Sequence, residues 1–120
     1  MRTVLIIEDN PKNARLMRRI LEARDWHVLH AEDGESGLQM ALAERPDVIL
    51  LDLGLPDVDG QSVAGMLKQP DGLPDTPIVV VTAWPSEYAR QMTVAYGCDG
   101  YISKPIDTRR FPDQVAGFLR

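Results

Sequence analysis

The sequence predicts a doubly wound α/β domain, a parallel sheet with helices on both faces. Short aliphatic runs alternate along the chain with stretches of helical spacing. The runs are apolar throughout rather than at every second residue. Strands of that kind are buried on both faces, as happens when helices cover both sides of a parallel sheet. With 120 residues, 44 % of them hydrophobic, the chain is one domain in length and long enough to bury roughly two-thirds of its unfolded surface.

Five strands are expected: Val4 to Ile7, His27 to His30, Val48 to Leu51, Ile78 to Val81, and a weaker Tyr101-Ile102. Five helices separate or follow them. The first has Asn10 as N-cap and Pro11 at the first helical position, then Leu16, Met17, Ile20 and Leu21 on one face. The second carries Leu38, Ala41 and Leu42 before Pro46, and the third Val63, Met66 and Leu67. The fourth runs from Pro85 to a Gly97 C-cap. The fifth carries Phe111, Val115, Phe118 and Leu119 on one stripe, with Pro112 expected to make its start irregular. Gln69 to Pro77 is a turn-rich loop, and no internal repeat, linker or low-complexity segment interrupts the pattern.

Charge narrows the function. A net charge of −5 and a pI near 4.9 oppose the phosphate backbone of nucleic acids and anionic lipid, which argues against a DNA reader or a membrane-surface protein. Cys98 is the only cysteine, so no internal disulfide forms, and it reads as a small filler residue. Val4 to Ile7 is too short for a signal-peptide core or a membrane span, so the chain reads as cytoplasmic.

Right-handed crossovers bring every strand's carboxyl end to one edge of such a sheet, where ligands bind. Glu8 and Asp9 follow the first strand, Asp52 the third, Thr82 the fourth, and Ser103, Lys104 and Pro105 the fifth. The acidic Ala31-Glu32-Asp33-Gly34 after the second strand is left out, because an edge strand places it farther from the centre. Two carboxylates about 4 Å apart at an effective dielectric of 20 repel by on the order of 4 kcal/mol, so something cationic belongs among these acids. Lys104 offers one charge. A hard divalent ion offers two, and Mg²⁺ suits a site of few carboxylates plus waters. Carboxylate, hydroxyl, ammonium and Mg²⁺ together match a phosphoryl group, and Asp52 is then the natural nucleophile.

These residues carry a resemblance to the response-regulator receiver domain over nearly the whole chain. It rests on the acidic pair Glu8-Asp9, the phosphoacceptor within LLDLGLPDVDG, Thr82-Ala83, the Tyr101 aromatic and Lys104-Pro105. Through IIEDNPKNARL and GCDGYISKP the chain is most similar to single-domain regulators of bacterial cell-cycle control. The resemblance implies a flavodoxin-like (βα)5 sandwich of strand order 2-1-3-4-5, with residues 1–120 forming one receiver domain. It implies that Asp52 accepts a phosphoryl group from a histidine kinase or histidine phosphotransfer protein. Asp9, Asp52 and the Gly54 backbone carbonyl would hold Mg²⁺, with Glu8 assisting through water, and Thr82 and Lys104 would grip the phosphoryl oxygens.

The implied switch moves Thr82 toward the phosphoryl group and turns Tyr101 inward, altering the face of the fourth helix, fifth strand and fifth helix for a downstream effector. Taking a conformational equilibrium from 1:99 to 99:1 needs about 5.5 kcal/mol. Hydrogen bonds to a charged group contribute roughly 1.5–3 kcal/mol each, so bonds from Thr82 and Lys104 nearly suffice. Such a protein is not an enzyme on other molecules; it catalyses only its own phosphorylation and dephosphorylation. The resemblance also implies a cis Lys104–Pro105 bond that aims Lys104 inward.

Taken singly, each residue has a plainer explanation. Asp52 could cap a turn before Pro56, Glu8-Asp9 could favour a helix start, and Tyr101 could simply pack. Their joint placement at one sheet edge is what favours a site. An aspartyl-phosphate phosphatase would place its nucleophile after the first strand with a second acid two residues on, whereas Asp52 lies on the third strand and has Gly54 there. A flavodoxin-like electron carrier would need a Ser-, Thr- and Gly-rich loop where this chain has Glu-Asp-Asn-Pro. The alternatives kept open are a pseudo-receiver that binds proteins without being phosphorylated, and a receiver cut from a larger multidomain regulator; Met1 directly before the first strand is read as a natural start.

Two positions depart from commoner choices in the family: Gly54, which leaves one side of the phosphoacceptor open, and the bulky Trp84. Trp84 is expected near the mouth of the site. There it either excludes water from the aspartyl phosphate or forms part of a partner surface.

Overall fold

The computed structural model describes residues 1–55, 57 and 60–119. Strands β1 (Thr3–Ile7), β2 (His27–Ala31), β3 (Val48–Leu51), β4 (Ile78–Thr82) and β5 (Gly100–Ser103) alternate with helices α1 (Pro11–Glu22), α2 (Gly34–Glu44), α3 (Gly60–Leu67), α4 (Ser86–Ala95) and α5 (Phe111–Ala116). All four strand pairings are parallel and the order is β2-β1-β3-β4-β5, so the sheet is the doubly wound one the sequence predicts. Each expected strand is present, within a residue at either end.

Successive side chains of a strand point to opposite faces, and the core divides accordingly. On one face Val4, Ile6, Val48, Leu50, Val79, Val81 and Ile102 pack with Met17 and Leu21 of α1 and Phe111 and Val115 of α5. On the other Leu5, Ile7, Ile49, Leu51, Ile78 and Val80 pack with Ala41 of α2 and Val63, Ala64 and Leu67 of α3. The central strands are inaccessible to water on both faces, which is why their sequences show no alternation. Burial of each such Leu, Ile or Val contributes roughly 1.5–3 kcal/mol, so the three inner strands are the most strongly held part of the fold.

The helix faces differ from expectation in a consistent way. Leu16, Leu42 and Met66, each assigned to a buried stripe, are exposed at 41 %, 43 % and 52 %. In α1 the buried residues are Ala14, Met17 and Leu21, in α2 Gly34, Gly37 and Ala41, and in α3 Gly60, Val63, Ala64 and Leu67. Small residues let the helices approach the sheet, and each contact stripe includes at least one Ala or Gly. At 3.6 residues per turn the misassigned residues fall well round the helix toward solvent.

Capping follows the sequence more closely. Asn10 Oδ1 accepts from the Lys12 and Asn13 amides at 2.9 and 3.2 Å, with Pro11 in the first turn of α1. Pro85 occupies the N-cap position of α4 rather than its first turn; at the other end Tyr96 is the C-cap and Gly97 follows with φ +72°, a left-handed exit that favours glycine. Pro112 lies in the first turn of α5, where an amide has no intrahelical partner to lose, so the expected irregularity carries no penalty. That helix is shorter than its apolar stripe, yet Phe118 and Leu119 beyond it still pack on the core.

Candidate functional site

β1 and β3 are neighbours at the centre of the sheet, with Ile7 level with Leu51, so the residues that follow them emerge side by side. Glu8, Asp9 and Asp52 each bring a carboxylate oxygen to within 4.8 Å of the others. Glu8 is buried, with 1 % of its surface exposed; Asp52 is half-buried and Asp9 exposed. Lys104, from the end of β5, reaches in and its Nζ donates to Glu8 Oε1 at 2.6 Å, while the Asn10 amide donates to Glu8 Oε2 at 3.4 Å. The Lys104–Pro105 bond is cis, as expected.

Asp52 keeps one local partner, the Gly54 amide, which donates to its Oδ1 at 3.1 Å. Burial pushes the Asp52 carboxyl above the ordinary carboxylate range, and the hydrogen bond and charge of Glu8 add to this. The Gly54 amide and the Lys104 ammonium pull the other way. One lysine therefore does not neutralise the cluster. Its donors are all hard oxygens, few in number and open to solvent at Asp9, which fits a divalent cation such as Mg²⁺ that retains waters.

Thr82 ends β4, level with Ser103 of β5, and is 4 % exposed. Its hydroxyl oxygen accepts the Trp84 amide at 3.1 Å. The Trp84 ring, 38 % exposed, meets Tyr88 edge-on at 4.9 Å between centroids, so the bulky residue after Thr82 lies with a second exposed aromatic on the first turn of α4. Tyr101 is half-buried against the core on the α3 side. A Cβ at Gly54 would stand 3.9 Å from Asp52 Oδ1, an ordinary contact distance, so no steric clash at Cβ requires glycine beside that carboxylate. Asp33, left out of the site, caps α2 at the edge of the sheet. Burial raises the Cys98 thiol to about 11, in keeping with a packing role.

The family model of the response regulator receiver domain matches residues 4–116. This chain belongs to that family. The receiver is 36 % identical over 118 residues to the polar-differentiation response regulator DivK of Brucella anthropi, covering 98 % of this chain and 96 % of the relative. It is 35 % identical, over the same shares, to the DivK of Brucella ovis. Among solved structures it is similar to the chemotaxis response regulator CheY4 of Vibrio cholerae, with a TM-score of 0.92, 25 % identity and 99 % of each chain covered. It is also similar to the receiver domain of a Pseudomonas aeruginosa sensor histidine kinase that has a magnesium ion coordinated in its active-site cleft. There the TM-score is 0.87 and the identity 27 %, covering 98 % and 96 % of the two chains. The receiver is thus a component of two-component signalling with bacterial relatives, and among its described residues no helix is long and apolar enough to cross a membrane.

Sequence reasoning did not find Asp57. Its two carboxylate oxygens accept from the Gly34 and Glu35 amides of α2 at 2.8 and 2.9 Å. Only an unusual density of acids after β3 hinted at it. Pro56, before which Asp52 could cap a turn, lies outside the described residues.

Proposed function

We propose that the receiver is a Mg²⁺-dependent phosphoacceptor in which Asp52 takes a phosphoryl group from a phosphohistidine donor, a histidine kinase or histidine phosphotransfer protein. The observation that carries this is the convergence of Glu8, Asp9 and Asp52 on one point with a single ammonium group among them. In the transfer an Asp52 carboxylate oxygen forms a bond to phosphorus as the N–P bond of the donor breaks. The electron pair leaves on the imidazole nitrogen, which takes a proton from solvent.

Asp9, Asp52 and the Gly54 carbonyl are the residues that would hold Mg²⁺, with Glu8 acting through water; when bound, the ion supplies positive charge to the transferring oxygens. Lys104, resting on Glu8 before transfer, then has a phosphoryl oxygen as a competing acceptor. Thr82 would give up the Trp84 amide and turn its hydroxyl to the phosphoryl group. Tyr101 follows inward, and the face of α4, β5 and α5 changes for a downstream effector protein. The work is done in the cytoplasm on proteins, without direct contact with nucleic acid or membrane, in keeping with the net charge of −5. The receiver acts chemically only on itself.

Incubation with acetyl phosphate and Mg²⁺, read by intact mass, should add one phosphoryl group to the wild type and none to Asp52→Asn or to wild type in chelator. An unlabelled wild type would leave the protein as a pseudo-receiver, a binding module of the same fold.

A further inference from the structure

The amino end of α2 is held by two carboxylates. Asp33, its own N-cap, accepts from the Ser36 amide at 2.8 Å, and the Gly37 amide closes the first turn on the Asp33 carbonyl at 3.0 Å. The two remaining amides, Gly34 and Glu35, have no intrahelical acceptor, and both donate to Asp57, which lies 23 and 22 residues further along the chain. A helix start is ordinarily served by residues beside it. Here the second carboxylate comes from the segment that joins β3 to α3, the same segment that carries Asp52 and Gly54.

That segment is also pinned at its far end. The Gly60 amide donates to the Leu53 carbonyl at 3.3 Å, and a Cβ at Gly60 would stand 2.8 Å from the Asp52 carbonyl oxygen, so α3 starts directly against the backbone of the phosphoacceptor. Gly54 itself is exposed, and its amide donates to Asp52 Oδ1. Between these anchors Leu53 is buried in the core on the α2–α3 face and Leu55 packs against it, and Asp57 adds hydrogen bonds from the segment to the start of α2.

We propose that Asp57 is a positioning residue: by gripping the Gly34 and Glu35 amides it fixes where the Gly54 carbonyl and Asp52 stand, and thereby couples cation binding at the site to the start of α2. This rests on the reading that Asp52 and Gly54 hold Mg²⁺. Coupling is reciprocal, so a cation that fixes the segment also tightens the Asp57 grip. The start of α2 then responds to site occupancy on the opposite side of the molecule from α5.

The test is a Mg²⁺ titration followed by NMR, reading Mg²⁺ affinity from the Asp9, Asp52 and Gly54 amides and hydrogen exchange at the Gly34 and Glu35 amides. Asp57→Ala should weaken Mg²⁺ about fivefold and abolish the Mg²⁺-dependent slowing of exchange seen at these two amides in the wild type. Asp57→Asn keeps one acceptor oxygen and should fall between; it carries the test if the alanine variant does not fold. Asp33→Ala loosens α2 while leaving both Asp57 acceptors in place and should weaken Mg²⁺ clearly less than Asp57→Ala does. Wild-type affinity in Asp57→Ala, or equal weakening by Asp33→Ala, overturns the tether and reduces Asp57 to a helix cap. A wild type that does not bind Mg²⁺ overturns the metal reading itself, and the tether with it.

Discussion

Two lysine–carboxylate pairs sit at opposite edges of the sheet and are built from similar parts. At the amino edge Lys68 Nζ lies 3.0 Å from Asp99 Oδ2, with both side chains 19 % exposed; at the carboxyl edge Lys104 Nζ lies 2.6 Å from Glu8 Oε1, with exposures of 18 % and 2 %. The first pair is closed by backbone. Asp99 also accepts the Ile78 amide at 2.8 Å, and Lys68 also donates to the Thr76 carbonyl at 3.0 Å, so the pair ends the β4 ladder and fastens the preceding loop. The second pair is not closed. Lys104 faces one acceptor and two further acids, Asp9 and Asp52, stand beside it, so carboxylate lone pairs remain for a cation or phosphoryl chemistry. A parallel sheet makes the difference: its amino edge has strand amides to satisfy, and its carboxyl edge has none, so acids there stay available.

The comparison is most sharply tested by removing each ammonium in turn. Lys104→Met strands Glu8, a buried charge beside other acids, and should cost about 3–5 kcal/mol in Mg²⁺-free denaturant titrations. Lys68→Met leaves Asp99 its Ile78 amide and should cost less, roughly 1–3 kcal/mol. Equal costs would mean that the carboxyl-edge pair is as self-contained as the other.

Mg²⁺ should then tell the two variants apart. The Lys104 ammonium repels a second cation at the adjoining carboxylates, so Mg²⁺ affinity should tighten by about tenfold, or about 1.4 kcal/mol, in Lys104→Met and stay at the wild-type value in Lys68→Met. A thermal-shift titration reads this directly, since stabilisation follows ligand concentration over Kd.

The pH dependence has a definite sign. The folded Asp52 carboxyl titrates above its ordinary value of 3.8, chiefly through burial, so the folded state holds that proton more tightly than the unfolded chain does. The stability this confers is complete below about 3.8 and is lost as pH rises through the folded value. Without Mg²⁺, Asp52→Asn should therefore unfold at a higher temperature than wild type at pH 7, and the gap should close as pH falls through the carboxylate range. A gap that widened instead would place Asp52 in a favourable rather than a frustrated setting.

The smallest expected effect is at the rim. If the Trp84 ring excludes water from phosphorylated Asp52, Trp84→Ala should lose the phosphoryl group a few-fold faster with no partner present. Equal rates assign the exposed Trp84–Tyr88 pair to partner binding.

How much of this was legible in the sequence depends on the range of the interaction. The strands were legible because burial on both faces leaves no alternation, and the start of α1 because Asn10 caps amides two and three residues away. The gathering of Glu8, Asp9, Asp52, Thr82 and Lys104 at one edge followed from chain direction in a parallel sheet. The sequence alone, however, could not say that Glu8 rather than Asp52 takes Lys104, 96 residues away, or that Asp57 would cap a helix 23 residues before it. Nor could it separate Asp99, consumed by a strand amide, from Asp52, left open. It also misplaced Leu16, Leu42 and Met66, because periodicity gives a stripe but not which residues are small enough to touch the sheet. Local propensity and hydrophobic period act within a few residues and so determined the elements and their ends. Which carboxylate meets which donor is decided by strand order and by how closely each helix sits, and those exist only once the whole chain has packed.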